Sequence, residues 1–139
     1  MLKGIPRVIS PELLKILSEM GHGDEIVIAD GNFPSVRCGQ RVVSAAGSGC
    51  YEMLEAVLRL IPLDTYAGEN FLLMQTVQGD AAPQIWELYM EAAKADAHAK
   101  IGLLERFSFY ERAKNAFAVV ATGETQTLSL IHISEPTRP

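Results

Sequence analysis

The chain has 139 residues, enough for one domain with a sizeable core and no need of disulfide staples. Twelve basic against seventeen acidic side chains leave a formal charge of −5, which argues against nucleic acid or an anionic membrane as a general partner. Cys38 and Cys50 form no C-x-x-C pair, and the histidines at 22, 98 and 132 lie far apart. No metal-ligand spacing arises, and reduced thiols in the cytoplasm are expected. The first six residues lack the apolar core of a signal peptide, and no window approaches the roughly 20 apolar residues of a membrane span.

In chain order, Ser10-Pro11-Glu12 is a helix start: a capping hydroxyl, proline at the first helical position and an acid at the positive dipole end. Leu13, Leu14, Leu17 and Met20 share one face, and Gly21 is expected to cap the C-terminus. The next stretch, Met20–Asp30, reads M-G-H-G-D-E-I-V-I-A-D. Ile26–Ala29 suits a fully buried strand, with His22 just before it and Asp30 at the end where open α/β sheets bind ligands. A histidine titrates near neutrality, so the stretch is a candidate acid/base site, although a lone histidine in a strand-entry turn is more often structural. Asp30 reads equally as a loop cap. Asp24 and Glu25 would raise the histidine's pKa if their carboxylates lay close.

Gly31–Gly39 reads as a loop and Arg41–Ala45 as a short strand. A helix follows over about Cys50–Leu60, ended by Pro62. The G-S-G at 47–49 invites a phosphate-loop reading. However, Glu52 stands where a dinucleotide fingerprint has its third glycine, and no Gly-Lys-Ser/Thr follows. Leu63–Tyr66 continues as a loop, Phe71–Val77 is an apolar strand, and Asp80 and Pro83 introduce a helix over roughly Pro83–Ala97 with Trp86 in the core. His98 reads as a helix-end or solvated cation. Ile101–Phe107 is expected as a strand ending on Arg106, Phe109–Ala116 as a helix and Phe117–Ala121 as a strand. The alternation predicts an α/β fold: a single three-layer α/β/α domain with a largely parallel sheet.

Residues 125–139 differ in kind. Leu128–Ile133 could form a strand on propensity, yet S-L-I-H-I-S-E-P-T-R-P resembles a translated sequencing adapter. The chain is therefore divided into an α/β domain at 1–124 and an atypical, non-native tail at 125–139. His132 is excluded as a site residue.

Three blocks carry a family resemblance: I-S-P-E-L-L-K-I-L-S-E-M-G-H-G-D-E-I-V-I-A-D at 9–30, L-D-T-Y at 63–66, and E-R-F-S-F-Y-E-R-A-K-N-A-F-A-V-V-A-T-G-E at 105–124. They resemble the fucose mutarotases, of the wider family that also holds the ribose pyranases; F-Y-E-R-A looks like the fucose branch. The resemblance implies a cofactor-free, cytoplasmic enzyme in decameric rings of two stacked pentamers, with sites between neighbouring subunits. It would interconvert the α and β anomers of a free sugar. By residue-to-residue match, His22 takes the proton donor's place, and Asp30 and Arg106 take sugar-binding positions. Tyr110 is a weaker candidate, with its ring against the sugar's methyl face or in the core. For Arg106 the competing role is a structural ion pair. Glu111 and Arg112 read as interface or solvated-face charges.

Two departures from the family stand out. A Y-x-N pattern normally follows T-G-E, whereas T-Q-T-L-S-L follows Glu124 here; Ser44-Ala45-Ala46-Gly47 replaces R-A-D-G. The alternatives are therefore a ribose pyranase-type mutarotase, or a non-catalytic sugar-binding module because the C-terminal ligand segment is missing.

Overall fold

The computed structural model describes residues 2–21, 23–63, 69–76, 82–126 and 131–134, the last segment by backbone alone at 132 and 134. His22, Asp64–Tyr66, Val77, Asp80 and residues 128–130 lie outside them. Helix α1 (Pro11–Glu19) begins as the capping chemistry requires, with the Ser10 hydroxyl accepting from the Leu13 amide at 3.1 Å. Its end differs from expectation. Met20, extended at φ −65° and ψ 137°, closes the helix in place of Gly21, because burying the Met20 side chain to 1% exposure turns the backbone towards the core. The Gly21 amide instead donates to Asp24 Oδ2 at 2.8 Å, and Gly23 takes the left-handed φ of +81°.

Strand β1 (Glu25–Ala29) follows. The segment expected as loop contains one short helix, α2 (Ser35–Cys38). Then come β2 (Val42–Ala45), α3 (Cys50–Leu60), β3 (Phe71–Met74) and α4 (Ile85–Lys94), the last shorter than expected at both ends. The largest revision concerns β4 (Ile101–Leu104) and α5 (Arg106–Asn115). Arg106 and Phe107 do not end a strand; they open a helix. Glu105 is the cap, its carboxylate accepting from the Ser108 amide at 3.1 Å, and the same backbone bonds hold that carboxyl below the usual range, Phe107's first and Ser108's next. Strands β5 (Ala118–Thr122) and β6 (Ile131–Ser134) are the last elements among the described residues.

The six strands form one sheet in the order β2-β5-β1-β6-β3-β4. β1 and β2 pair in parallel with β5, and β3 in parallel with β4; β6 runs antiparallel between β1 and β3. Among the described residues, β6 is the strand that joins the two parallel groups. Alternate side chains of β1 enter opposite cores. Ile26 and Ile28 join Leu13, Leu17, Met53, Leu54, Val57 and Tyr89 under α1, α3 and α4. Val27 and Ala29 join Phe33, Phe109 and Ala113 under α2 and α5. This is the three-layer α/β/α arrangement with a largely parallel sheet. All four side chains are fully buried, so burial on both faces fixes the register of β1.

Candidate functional site

The C-terminal ends of β1 and β5 lie side by side, as do the N-terminus of α3 and the loop after β1. Asp30, 5% exposed, accepts from the backbone amides of Asn32 (2.9 Å) and Phe33 (3.1 Å) through Oδ1. The loop-cap role is thus realised, and it governs where Phe33 goes. The Phe33 ring meets Tyr110 edge-on, centroids 5.4 Å apart at 75°, and Phe109 at 6.3 Å and 81°. Tyr110 is half-buried, one turn into α5, with the Arg106 guanidinium 5.9 Å from its ring centre. Asp30, Tyr110 and Arg106 are therefore linked through Phe33, a residue that the sequence reading did not single out.

Arg106 is exposed and occupies the first position of α5, where a cation opposes the helix dipole. Among the described residues it forms no ion pair; the pairs are Arg112–Glu25 at 3.0 Å and Lys114–Glu111 at 3.1 Å. The helix dipole therefore gives no reason for an arginine at that position. Arg112, by contrast, is committed to structure: its Nε and Nη2 both donate to Glu25 Oε2.

The Gly21–Asp24 turn, which brackets position 22, lies at the opposite end of β1 from Asp30. Five strand residues separate the two ends by roughly 16 Å. Neither neighbouring acid is idle: Asp24 bonds the Gly21 amide and Glu25 pairs with Arg112.

At the α3 N-terminus, the Cys50 amide donates to Glu124 Oε1 at 3.2 Å. An internal carboxylate thus occupies the place that a phosphate would take after G-S-G. Burial pushes the Cys50 thiol up to about 12, and the Glu124 and Asp30 charges add to this while its bond with the Thr122 hydroxyl opposes it. It is a poor nucleophile in this setting. Among the described residues, no group of three or more His, Cys, Asp or Glu side chains could hold a metal ion, and no helix is long and apolar enough to cross a membrane. Among the described residues, two cavities of about 380 and 280 Å³ border the N-terminal segment, and neither of these is lined by Asp30, Arg106 or Tyr110.

The model of the RbsD/FucU transport protein family matches residues 3–135. The chain belongs to that family. It is 52% identical over 131 residues to the fucose mutarotase of Mus musculus, covering 88% of this chain and 86% of the mouse protein. It is 43% identical to the L-fucose mutarotase of Histophilus somni strain 2336, covering 100% of this chain and 99% of that protein. Among solved structures, the fucose mutarotase from Streptococcus pneumoniae in complex with L-fucose matches with a TM-score of 0.93 at 43% identity, covering 99% of this chain and 100% of that one. The RbsD/FucU match extends through β6, so the family's fold includes the position that this strand fills.

Proposed function

We propose that this chain is an isomerase that interconverts the α and β anomers of free L-fucose. The observation that carries the reading is the Asp30–Phe33–Tyr110–Arg106 arrangement at the C-terminal edge of the sheet, in a chain 43–52% identical to fucose mutarotases. Mutarotation needs only proton transfer. A base takes the anomeric hydroxyl proton while an acid protonates the ring oxygen; the aldehyde rotates and the ring recloses on its other face. Positioned acid/base groups contribute roughly 10²–10⁴-fold, and neither metal nor redox cofactor enters that scheme.

His22 is the acid/base, its reference pKa near 6.5 suited to giving and taking protons. Asp30 accepts hydrogen bonds from sugar hydroxyls through its carboxylate. Arg106 donates to a neighbouring hydroxyl pair with its planar fork. The Tyr110 ring flanks the apolar methyl side of the sugar. The 16 Å span of β1 supports a site assembled between neighbouring subunits, in which one copy's His22 meets another's Asp30 and Arg106. A closed ring of such copies, a decamer in the cytoplasm, fits this division. Residues 1–124 supply all four of these groups. Residues 125–139 supply a central strand of non-native sequence without the Y-x-N pattern, and sequencing the gene past the Glu124 codon tests that origin.

The decisive experiment is NMR magnetisation exchange between the anomers of L-fucose, with D-ribose as comparison, for the wild type and His22→Ala. Faster exchange for L-fucose, reduced about 100-fold or more in the variant, is expected. Undiminished exchange in His22→Ala removes that residue from the chemistry. Faster exchange for ribose than for fucose favours a ribose pyranase-type enzyme, and binding without any exchange favours a non-catalytic sugar-binding module.

A further inference from the structure

The Thr122-Gly123-Glu124 turn at the end of β5 takes no part in the scheme above, yet it is bonded to the residues on both sides of Asp30. The Thr122 hydroxyl, on a residue 4% exposed, donates to the Ala29 carbonyl at 2.7 Å. On the other side of Asp30, the Gly31 amide donates to the Glu124 carbonyl at 2.9 Å. The residues immediately before and after the aspartate are thus both bonded to one turn. That turn is itself held from three directions. The Gly123 amide donates to the Ser48 carbonyl at 2.9 Å, and its Cα packs so closely on the Ala46 carbonyl that a side chain would collide. Glu124 Oε1 accepts from Cys50 at the α3 N-terminus. Oε2 accepts from the Thr125 and Gln126 amides at 3.0 and 3.1 Å. The Glu124 amide donates back to the Thr122 hydroxyl at 3.2 Å.

We propose that Thr122 and Glu124 are positioning residues for Asp30, setting its carboxylate in the sugar site through the Ala29 carbonyl and the Gly31 amide. The inference rests on Asp30 being a sugar contact. Thr122 satisfies its own geometry by donating once and accepting from the Glu124 amide and the Cys50 thiol. Removing the hydroxyl therefore takes one partner from the Ala29 carbonyl and loosens one flank of Asp30.

The test measures the anomer exchange rate against L-fucose concentration, separating KM from kcat, for Thr122→Val, Thr122→Ser, Glu124→Ala, Asp30→Ala and the double variant Asp30→Ala/Thr122→Val. A misplaced binding group weakens ground and transition states alike, so KM rises while kcat holds. A rise in KM of about tenfold is expected for Thr122→Val and for Glu124→Ala, with recovery in Thr122→Ser and no added rise in the Asp30→Ala background. A merely structural role lowers the amount of active protein, so kcat drops at constant KM; that result overturns the proposal. If Thr122→Val does not fold, Glu124→Ala carries the same test. An unchanged KM in Asp30→Ala removes the sugar contact itself and with it this inference. A raised KM there alongside an unchanged one in Thr122→Val and Glu124→Ala removes the positioning role alone.

Discussion

The two ends of β1 are secured in opposite ways. At its C-terminal end, Asp30 and the neighbouring backbone are held by short bonds to Asn32, Phe33, Thr122 and Glu124, those with Phe33 and Thr122 buried, and Phe33 wedges between Phe109 and Tyr110. At its N-terminal end the bonds are charged and wetter: Asp24 to the Gly21 amide, and Glu25 to an Arg112 whose side chain is 41% exposed. Helix α5 spans both ends, with aromatic packing at its start and an ion pair at its finish. The end that carries Asp30 is thus fixed by several bonds and an aromatic contact, whereas the Glu25–Arg112 pair at the other end is open to screening.

The largest expected effect comes from removing residues 127–139. β6 lies between β1 and β3, and Ile131 and Ile133 are fully buried in the larger core. Without it β1 keeps only β5 as a neighbour, and the two parallel groups share no ladder among the described residues. The shortened chain is expected to lose cooperative thermal unfolding followed by circular dichroism. An unchanged, sharp transition would show that β6 is dispensable.

Phe33→Ala comes next and strikes the C-terminal end alone. The ring is 8% exposed, and deleting a core phenylalanine costs about 3 kcal/mol. Denaturant unfolding should show that loss. A loss below about 1 kcal/mol would mean that the aromatic wedge does little to fix that end.

These expectations bear on what could be read before any coordinates. Helix α3 spans Cys50–Leu60 as expected, because its apolar spacing and Pro62 are local signals. The start of α1 is legible for the same reason. The start of α5 was not, because glutamate is not among the favoured capping residues and Leu103, Leu104 and Phe107 read as one apolar run; yet Leu103 and Phe107 are 53% and 69% exposed. Asp30 was legible as a residue but not as a choice between loop cap and ligand, since a carboxylate at a strand end serves either role and only the amide bonds to Asn32 and Phe33 show that it caps the loop. Phe33 gave no signal, and neither did the Arg112–Glu25 pair. Both depend on contacts between segments dozens of residues apart.

Alkaline pH separates the two ends by a smaller amount. Cys50 is raised from 9.0 to about 12, first by burial, so between those values the folded state holds a proton that the unfolded chain has released. Stability from this group is complete below pH 9 and falls as pH rises towards 12. The loss concerns the α3 N-terminus beside Asp30, while Arg112 keeps its charge throughout that range. Denaturant midpoints from pH 8 to 11 should therefore decline more steeply for the wild type than for Cys50→Ala. Parallel slopes would place the alkaline sensitivity elsewhere.

The smallest effect is expected at the N-terminal end. Arg112→Ala removes a partly exposed ion pair with Glu25, and such pairs contribute about 0.2–1 kcal/mol, less in high salt. Glu25 is the better buried partner, its side chain 18% exposed, so taking away its Arg112 partner alone should cost more than removing both. A double-mutant cycle with Glu25→Gln, repeated at low and high ionic strength, reads the coupling directly. A coupling that shrinks as salt rises fits an end of β1 held by screened charge. A coupling above about 2 kcal/mol that ignores salt would make this end as firmly built as the one that carries Asp30, and would erase the contrast between them.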